Sequence, residues 1–400
     1  MTGTFTDLKV AGKLAVRAMG ARLRSELEPT PDLVKFKQGM QALIDSAKAD
    51  LIKETQWVSM PATQAPWIDS QIQLKSGEQV SYFVEGRTYV SQFLDVWIHP
   101  SLQLWSKVGN DGEVFRGSRK GHSFTAKNDG QLQFGNYFPN DWADRQGNRL
   151  QSDEVYAQAS GELCVLVIHW NDKALDGLKE LVNAGDYQAK LQNEIERIEQ
   201  GDITPVGWNY LWNIGTSEIY SDQHTKTEQP TDHQHSIDCQ TIHCHTSGDT
   251  GILQHDVDMA LTKNTEISWR WCIDQLPSSI REDSLPSHDY LSIAVEFDTG
   301  RDITYYWSST LSVGTGFDCP LPNWAGKEYH VVVRSGGENL GQWLQERRNL
   351  YADHEQYMGK PPARIVRVWL IANSILQRGT GTCDYADIVL SNDETKVRIL

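Results

Sequence analysis

Chemically reactive side chains are concentrated in strand-like segments in the last third of the chain. In Tyr290–Asp298, an apolar set of side chains alternates with a set that includes Glu296 and Asp298. Alternation with a period of two is typical of a strand with one buried face. Carboxylates close to histidine, tyrosine and arginine can transfer protons and stabilise developing charge. The pattern therefore predicts a lined cleft in this part of the chain.

Residue type suggests a role for each member of this set. The candidate base is Glu296 or Asp298, and the candidate acid is Tyr306 or His288. Arginine favours bidentate and stacked contacts, and tryptophan offers a flat surface for a ring. The candidate substrate-binding residues are Arg270, Arg334, Arg367, Trp307, Trp343 and Trp369.

Two interpretations of this set stay open. If Glu296, Arg334 and Arg367 converge around one enclosed hollow, the segment forms an active site. Alternatively, the same residues form structural arginine–carboxylate pairs on an outer sheet face, because ion-pair networks have the same composition.

The elements that must position these residues divide the chain into four parts. Residues 1–56 are predicted to be helical, because Thr30-Pro31-Asp32 suits a helix start and apolar residues then recur at helical spacing. Residues 57–170 alternate between short strands and turns, as a sandwich does. Residues 171–200 return to a helical pattern and form a connector. Residues 201–400 are strand-rich, so the predicted fold is mainly β, with two jelly-roll-like β-sandwich domains.

The first sandwich resembles the calcium-dependent galactose-binding lectins of bacteria over roughly a hundred residues. The motifs that carry the resemblance are Trp67-Ile68-Asp69-Ser70, Ser76–Val80, Glu85-Gly86-Arg87, Lys107–Gly112, Asn128–Leu132, Asn140-Asp141 and Ser160–Leu163. The resemblance implies a lectin-like fold, a sugar ligand and a calcium site in which Asp141 is the best-matching metal ligand. The asparagine pair expected before the last strand is replaced by Gln158-Ala159. Calcium takes six to eight oxygen ligands, so the alternative is a lectin-shaped domain that binds no calcium.

The second sandwich, from Trp269 to about Leu390, resembles a bacterial family known only as a domain of unknown function. The carriers are Trp269-Arg270-Trp271, Tyr305-Tyr306-Trp307, Val333–Gly336, Gly341-Gln342-Trp343 and Glu346–Leu350. This resemblance implies a jelly-roll-like fold and brings no activity with it.

Histidine and cysteine leave one further metal hypothesis. Six of the twelve histidines lie between His224 and His255, and a strand through His243-Cys244-His245 would place both histidines on one face. No standard zinc spacing is present, so a polar loop entering a strand explains the cluster equally well. The six cysteines are scattered, and we expect buried free thiols.

The composition and the absence of several sequence motifs reduce the number of possible functions. The formal net charge of −16 argues against a nucleic-acid or anionic-membrane partner. We find no membrane span, secretory signal, phosphate loop, dinucleotide fingerprint or serine-hydrolase elbow, so we expect a cytoplasmic protein without an organic cofactor.

Three functions are consistent with these features. The first is a cofactor-independent lyase, isomerase or cyclase whose pocket lies in the second sandwich near the domain interface. The second is a non-catalytic carbohydrate-binding protein that uses the lectin-like domain. The third is an assembly protein whose lectin-like domain forms homo-oligomer contacts.

Overall fold

The computed structural model describes residues 28–400 except 65–66, 94, 118, 138–141, 151, 183–186, 212–217, 225–239 and 322–323, together with residues 12–13, 15–16 and 19. The chain forms two compact units, one holding most residues up to Asp202 and the other most residues from Ile203 to Leu400. Strands dominate both units, which confirms the predicted mainly β fold class. None of the described helices is both long and apolar enough to cross a membrane.

The first unit is a sandwich of a five-stranded and a three-stranded sheet. Its elements are α1 (Leu33–Asp45), β1 (Ile52–Pro61), β2 (Trp67–Leu74), β3 (Gln79–Ser91), β4 (Val96–Ile98), α2 (Pro100–Gln103), β5 (Leu104–Val108), β6 (Gly121–Thr125), β7 (Gly130–Asn136), α3 (Asp153–Ala157), β8 (Ser160–Trp170), α4 (Ala174–Leu181) and α5 (Gln188–Gln200). The larger sheet has the order β1-β8-β3-β4 with β6 also paired to β3, and the smaller has the order β2-β7-β5. Their facing side chains form one apolar core.

Helices cover the outer face of the five-stranded sheet. Phe36 and Met40 of α1 pack with Leu178 of α4 and Leu191 of α5 against β3 and β8. The apolar stripe predicted for α1 is therefore a core contact. The segment predicted as one helical connector contains two helices, and both pack on the sheet of this unit.

His122 makes the stability of the first unit depend on pH. Its ring lies among Tyr82, Phe115 and Phe124, where burial, and then the charge of Arg197, lower its pKa to about 3. An unfolded histidine titrates near pH ~6.5, so between these two values the unfolded chain binds one more proton. The contribution of the neutral His122 ring to the free energy of unfolding is thus fully present above the unfolded-state pKa. It is lost progressively as the pH falls towards the folded-state pKa.

We expect this loss to reach roughly 2–3 kcal/mol between pH ~6.5 and ~4.5. Urea unfolding at several pH values, compared with His122→Phe, isolates the contribution of this one group. An equal pH slope in the variant would show that the ring does not titrate as described.

The second unit is a larger sandwich. Its elements are β9 (Asn209–Tyr210), β10 (Tyr220–His224), β11 (Gln240–Ser247), β12 (Thr250–Ala260), β13 (Glu266–Gln275), a 3-10 turn (Leu285–Ser287), β14 (Tyr290–Phe297), β15 (Asp302–Ser308), β16 (Gly316–Asp318), β17 (Glu328–Ser335), β18 (Leu344–Asn349), α6 (Leu350–Met358), β19 (Arg364–Asn373), β20 (Thr380–Ser391) and β21 (Lys396–Arg398). One sheet has the order β10-β11-β20-β13-β18, with β21 on β20. The other is seven-stranded, in the order β16-β17-β15-β14-β19-β12-β9.

Strict alternation gives the seven-stranded sheet two different faces. Leu291, Ile293, Val295 and Phe297 of β14 are fully buried in the core between the two sheets, as predicted. Trp269 and Trp271 of β13 meet them from the other sheet, and Trp269 stacks on Tyr305 with ring centroids 5.7 Å apart. The intervening side chains of β14 therefore point to the opposite face.

Candidate functional site

The face of the seven-stranded sheet that points away from the core carries a group of ten polar, charged and aromatic side chains. We call it the polar face. Its members are Tyr290, Ser292, Glu296, Asp302, Thr304, Tyr306, Glu328, His330, Arg367 and Trp369. Neighbouring strands hold them in register: Ser292 lies opposite Tyr306, and Thr304 lies opposite His330.

Four potential metal ligands converge at one part of this face. His288, Cys319, Glu328 and His330 are all buried, and each offers a donor atom within 4.8 Å of the others. Glu328 and His330 share a face because they lie two residues apart in β17. His288 comes from the segment before β14, and Cys319 directly follows β16. We call these four residues the donor cluster.

Hydrogen bonds fix the orientation of the donor cluster. His288 Nδ1 lies 2.7 Å from the Glu282 carbonyl oxygen and can only donate to it, which leaves Nε2 with a lone pair. Nε2 lies 3.4 Å from Cys319 Sγ. Glu328 Oε1 accepts from the Tyr290 hydroxyl at 2.9 Å and from Thr304 Oγ1 at 3.3 Å. The cluster is therefore held by its surroundings on several sides.

Burial dominates the electrostatics here. It lowers the pKa of His288 to about 4, and burial together with His288 holds the pKa of His330 well below its usual range. Both imidazoles are thus neutral at physiological pH. Burial, and then the charge of Glu328, raise the pKa of Asp302 well above its usual range, and burial also raises the pKa of Glu328. Lost solvation is the main cause of both pKa shifts, and the attraction of Arg301 for Asp302 offsets only a small part of the increase at Asp302.

His330 is the least satisfied member of the cluster. Phe317 stacks on its ring with centroids 5.1 Å apart, and His288 meets the ring edge-on at 4.6 Å. Neither ring nitrogen has a hydrogen-bond partner among the described residues. The nearest carboxylate atom, Glu328 Oε1, is 3.6 Å from Nε2, which is beyond hydrogen-bond distance.

A second group of unsatisfied atoms lies beside the donor cluster. Ser292 Oγ, the Tyr306 hydroxyl and Trp369 Nε1 are buried and have no hydrogen-bond partner within the described part of the chain. The Ser308 hydroxyl near Tyr306 donates to Glu282 at 2.5 Å instead. These three side chains, which we call the ligand patch, lie on adjacent strands. Partly buried apolar side chains surround the patch: Leu211, Ile252, Leu311, Phe317 and Trp324.

Three of the predicted site residues lie together. His288 belongs to the donor cluster, and Tyr306 and Trp369 belong to the ligand patch. His288 and Tyr306 are linked by Tyr290, whose ring lies 4.7 Å from the first and 5.9 Å from the second.

The expected convergence of Glu296, Arg334 and Arg367 does not occur. Arg367 Nη1 binds Glu296 at 2.8 Å, and its Nε binds Asp256 at 3.0 Å. Arg334 instead binds Glu346 of the other sheet. Glu296 is in register with Asp302 and Glu328, whereas Arg334 lies six residues further along β17, about 20 Å away.

The remaining predicted residues lie outside the polar face. Trp307 is buried in the core, where its Nε1 donates to the Gly336 carbonyl at 2.8 Å. Arg270 binds Asp387 and lies over the Trp343 ring, 5.0 Å from its centroid, on the other sheet. Asp298 is exposed in the turn after β14.

The two earlier metal hypotheses have different outcomes. Asp141, the predicted calcium ligand, lies outside the described residues. His243 Nδ1 lies 2.7 Å from Asp384 Oδ1, while His245 on the same strand is exposed and His255 contacts the Asp256 carbonyl. The described members of the histidine-rich segment therefore do not form a group of three or more metal donors.

Sequence reasoning missed Cys319, Glu328 and Asp302. Cys319 was grouped with ordinary buried thiols, which it resembles in sequence. Glu328 is the first residue of β17, and a strand that includes it places Glu328 and His330 on one face.

Part of the chain is similar to a known protein family. Residues 219–389 match a family described as a protein of unknown function, DUF3047. This match confirms the resemblance of the C-terminal part. No curated protein matches the chain.

Solved structures similar to the chain include several carbohydrate-related β-sandwiches. The N-terminal domain of EclA, a PllA-like lectin, is 15% identical, with 30% of this chain and 99% of that chain covered and a TM-score of 0.23. TmCBM61 in complex with β-1,4-galactotriose is 10% identical, with 49% and 94% covered and a TM-score of 0.23. The xyloglucanase domain of NopAA from Sinorhizobium fredii, in complex with cellobiose, is 8% identical, with 43% and 93% covered and a TM-score of 0.26. Nothing in these comparisons supports a lyase, isomerase or cyclase.

Proposed function

We propose that the C-terminal sandwich binds a small neutral molecule with several hydroxyl groups, such as a saccharide, at the ligand patch. The observation that carries this proposal is the grouping of three buried, unsatisfied polar atoms: Ser292 Oγ, Tyr306 OH and Trp369 Nε1. A buried polar group without a partner costs about 1–3 kcal/mol. Saccharide hydroxyls both donate and accept, so they can satisfy all three groups at once.

The surroundings of the patch favour a sugar over other polar ligands. Trp324 meets Trp369 edge-on at 6.0 Å, so aromatic surface lies directly beside the unsatisfied atoms. Aromatic rings present an apolar body with a polar edge, which suits the mixed surface of a sugar ring.

Charge supports a neutral ligand. Arg367 on the polar face is bound to Glu296 and Asp256, and Arg281 beyond the patch is bound to Asp283. A ligand carboxylate would have to compete with these ion pairs. An uncharged ligand leaves them intact.

Binding is better supported than catalysis. The candidate base Glu296 is held by Arg367, and the candidate acid His288 donates to a backbone carbonyl. Both groups are therefore already engaged in interactions within the protein. An enzymatic role of this face stays a prediction.

Tyr306→Phe is expected to weaken binding roughly five- to ten-fold, because it removes one hydrogen bond worth about 1–1.5 kcal/mol. Isothermal titration with galactose, glucose, mannose and cellobiose measures the effect for whichever sugar binds best. Tyr329→Phe is the matched control, since Tyr329 lies on the neighbouring strand β17 and its ring packs on Tyr357 on the opposite face.

The same titration distinguishes this proposal from sugar binding by the lectin-like sandwich. Binding that requires calcium and is unchanged in Tyr306→Phe would assign the sugar to the first unit. Absence of binding to every saccharide tested would contradict the proposal outright.

A further inference from the structure

We propose that His288, Cys319, Glu328 and His330 bind a divalent transition-metal ion, with zinc as the natural occupant. This site does not depend on the proposed function, because metal binding can be measured whether or not the ligand patch takes a sugar. Its four ligands are different residues from those of the calcium and histidine-rich sites that the sequence suggested.

The separations within the donor cluster fit a tetrahedral ion. Zinc bonds of about 2.0–2.3 Å place neighbouring ligand atoms roughly 3.3–3.8 Å apart. His288 Nε2 and Cys319 Sγ are 3.4 Å apart, and His330 Nε2 and Glu328 Oε1 are 3.6 Å apart. Two donor pairs are therefore already at the separation that a shared ion imposes.

Both imidazoles of the donor cluster have a ring nitrogen that is available to bind a metal ion. Because His288 Nδ1 must donate to the Glu282 carbonyl, its Nε2 lone pair faces Cys319. Metal-bound histidines commonly use their other nitrogen in this way. His330 has no competing hydrogen bond among the described residues, so a ring nitrogen is available to the ion.

A bound cation would also compensate the negative charge of the carboxylates at this site. Glu328 and Asp302 are both buried, and the Thr304 hydroxyl lies between them, 2.8 Å from Asp302 Oδ1 and 3.3 Å from Glu328 Oε1. No lysine or arginine of the described chain forms an ion pair with either carboxyl. Zinc would bind the Cys319 thiolate and the Glu328 carboxylate, and their protons would be released to solvent.

The arrangement is that of a structural site. All four ligands come from the protein and all are buried, whereas catalytic zinc keeps one position open for water or substrate. The ion would join three separate segments: the turn before β14, the chain after β16, and the start of β17. It would thereby fix Phe317, which stacks on His330, beside the ligand patch.

The test uses the full-length protein expressed in minimal medium supplemented with zinc or with cobalt. Metal content after dialysis should be about one ion per chain, and the cobalt form should show a sulfur-to-metal charge-transfer band. Cys319→Ser should lose this band. Its metal affinity, measured by competition with a chelator, should be weaker by roughly ten-fold or more. Cys383→Ser, which changes a buried thiol in the core of the same unit, should keep both properties.

A measurement on the unaltered protein protects the test against a variant that fails to fold. X-ray absorption of the zinc form should show one sulfur at about 2.3 Å and three nitrogen or oxygen atoms at about 2.0–2.2 Å. The proposal would be overturned if the coordination shell of the zinc contained no sulfur. It would also be overturned if the protein purified from zinc-supplemented medium contained no metal. Equal metal retention in well-folded Cys319→Ser would do the same.

Discussion

Replacing Trp369 by alanine is expected to weaken saccharide binding roughly thirty-fold or more. Trp369 contributes both an unsatisfied indole N–H and aromatic surface to the ligand patch. Tryptophan in a largely desolvated position commonly contributes at least about 2 kcal/mol to binding. Isothermal titration with the best-binding sugar measures the loss, and circular dichroism confirms that the variant is folded.

Two variants sharpen this experiment. Trp343→Ala should leave the affinity unchanged, because Trp343 lies against Arg270 on the other sheet. Trp369→Phe keeps a ring and loses the N–H, so its affinity should fall between the wild type and Trp369→Ala. If Trp343→Ala weakens binding as strongly as Trp369→Ala, the sugar does not bind where we place it.

Asp353→Ala is expected to lower the free energy of unfolding of the second unit by about 3 kcal/mol. The buried Asp353 carboxylate accepts from the Tyr305 hydroxyl at 2.7 Å and from Arg348 Nε and Nη2 at 2.8 and 2.6 Å. The variant leaves a buried hydroxyl and a half-buried guanidinium without this acceptor. Urea unfolding followed by tryptophan fluorescence gives the difference.

A matched surface pair provides the control. Asp258 also binds an arginine, Arg364, but its side chain is 80% exposed, so Asp258→Ala should cost at most about 0.5–1 kcal/mol. Equal losses for the two variants would mean that Asp353 does not join α6 to β15 and β18. The comparison also tests whether Tyr305, next to Tyr306 in β15, is held from the core side.

Alternation along β14 was sufficient to predict which of its side chains form the core. The same rule applied to β15 places Trp307 in the core with Ile303 and Tyr305. The prediction of Trp307 as a substrate-binding residue did not apply this rule. Arg334 could not be placed in this way. Tyr306 pairs with Val332 but Trp307 pairs with Arg334, so β17 contains one extra residue that moves Arg334 to the side of Trp307.

The donor cluster was beyond sequence reasoning for a different reason. Its residues come from positions 288, 319, 328 and 330, and only the last two share a strand. The positions of His288 and Cys319 depend on the turn before β14 and on the chain between β16 and β17. No local spacing rule describes such segments, and metal motifs with fixed spacing therefore miss this site.

The location of the bound ligand is the central claim, and a crystal structure of the full-length protein with the best-binding saccharide tests it most directly. We predict electron density for the sugar within hydrogen-bond distance of Ser292 Oγ, the Tyr306 hydroxyl and Trp369 Nε1. Density for the sugar only on the lectin-like sandwich, with those three atoms still unsatisfied, would contradict the account.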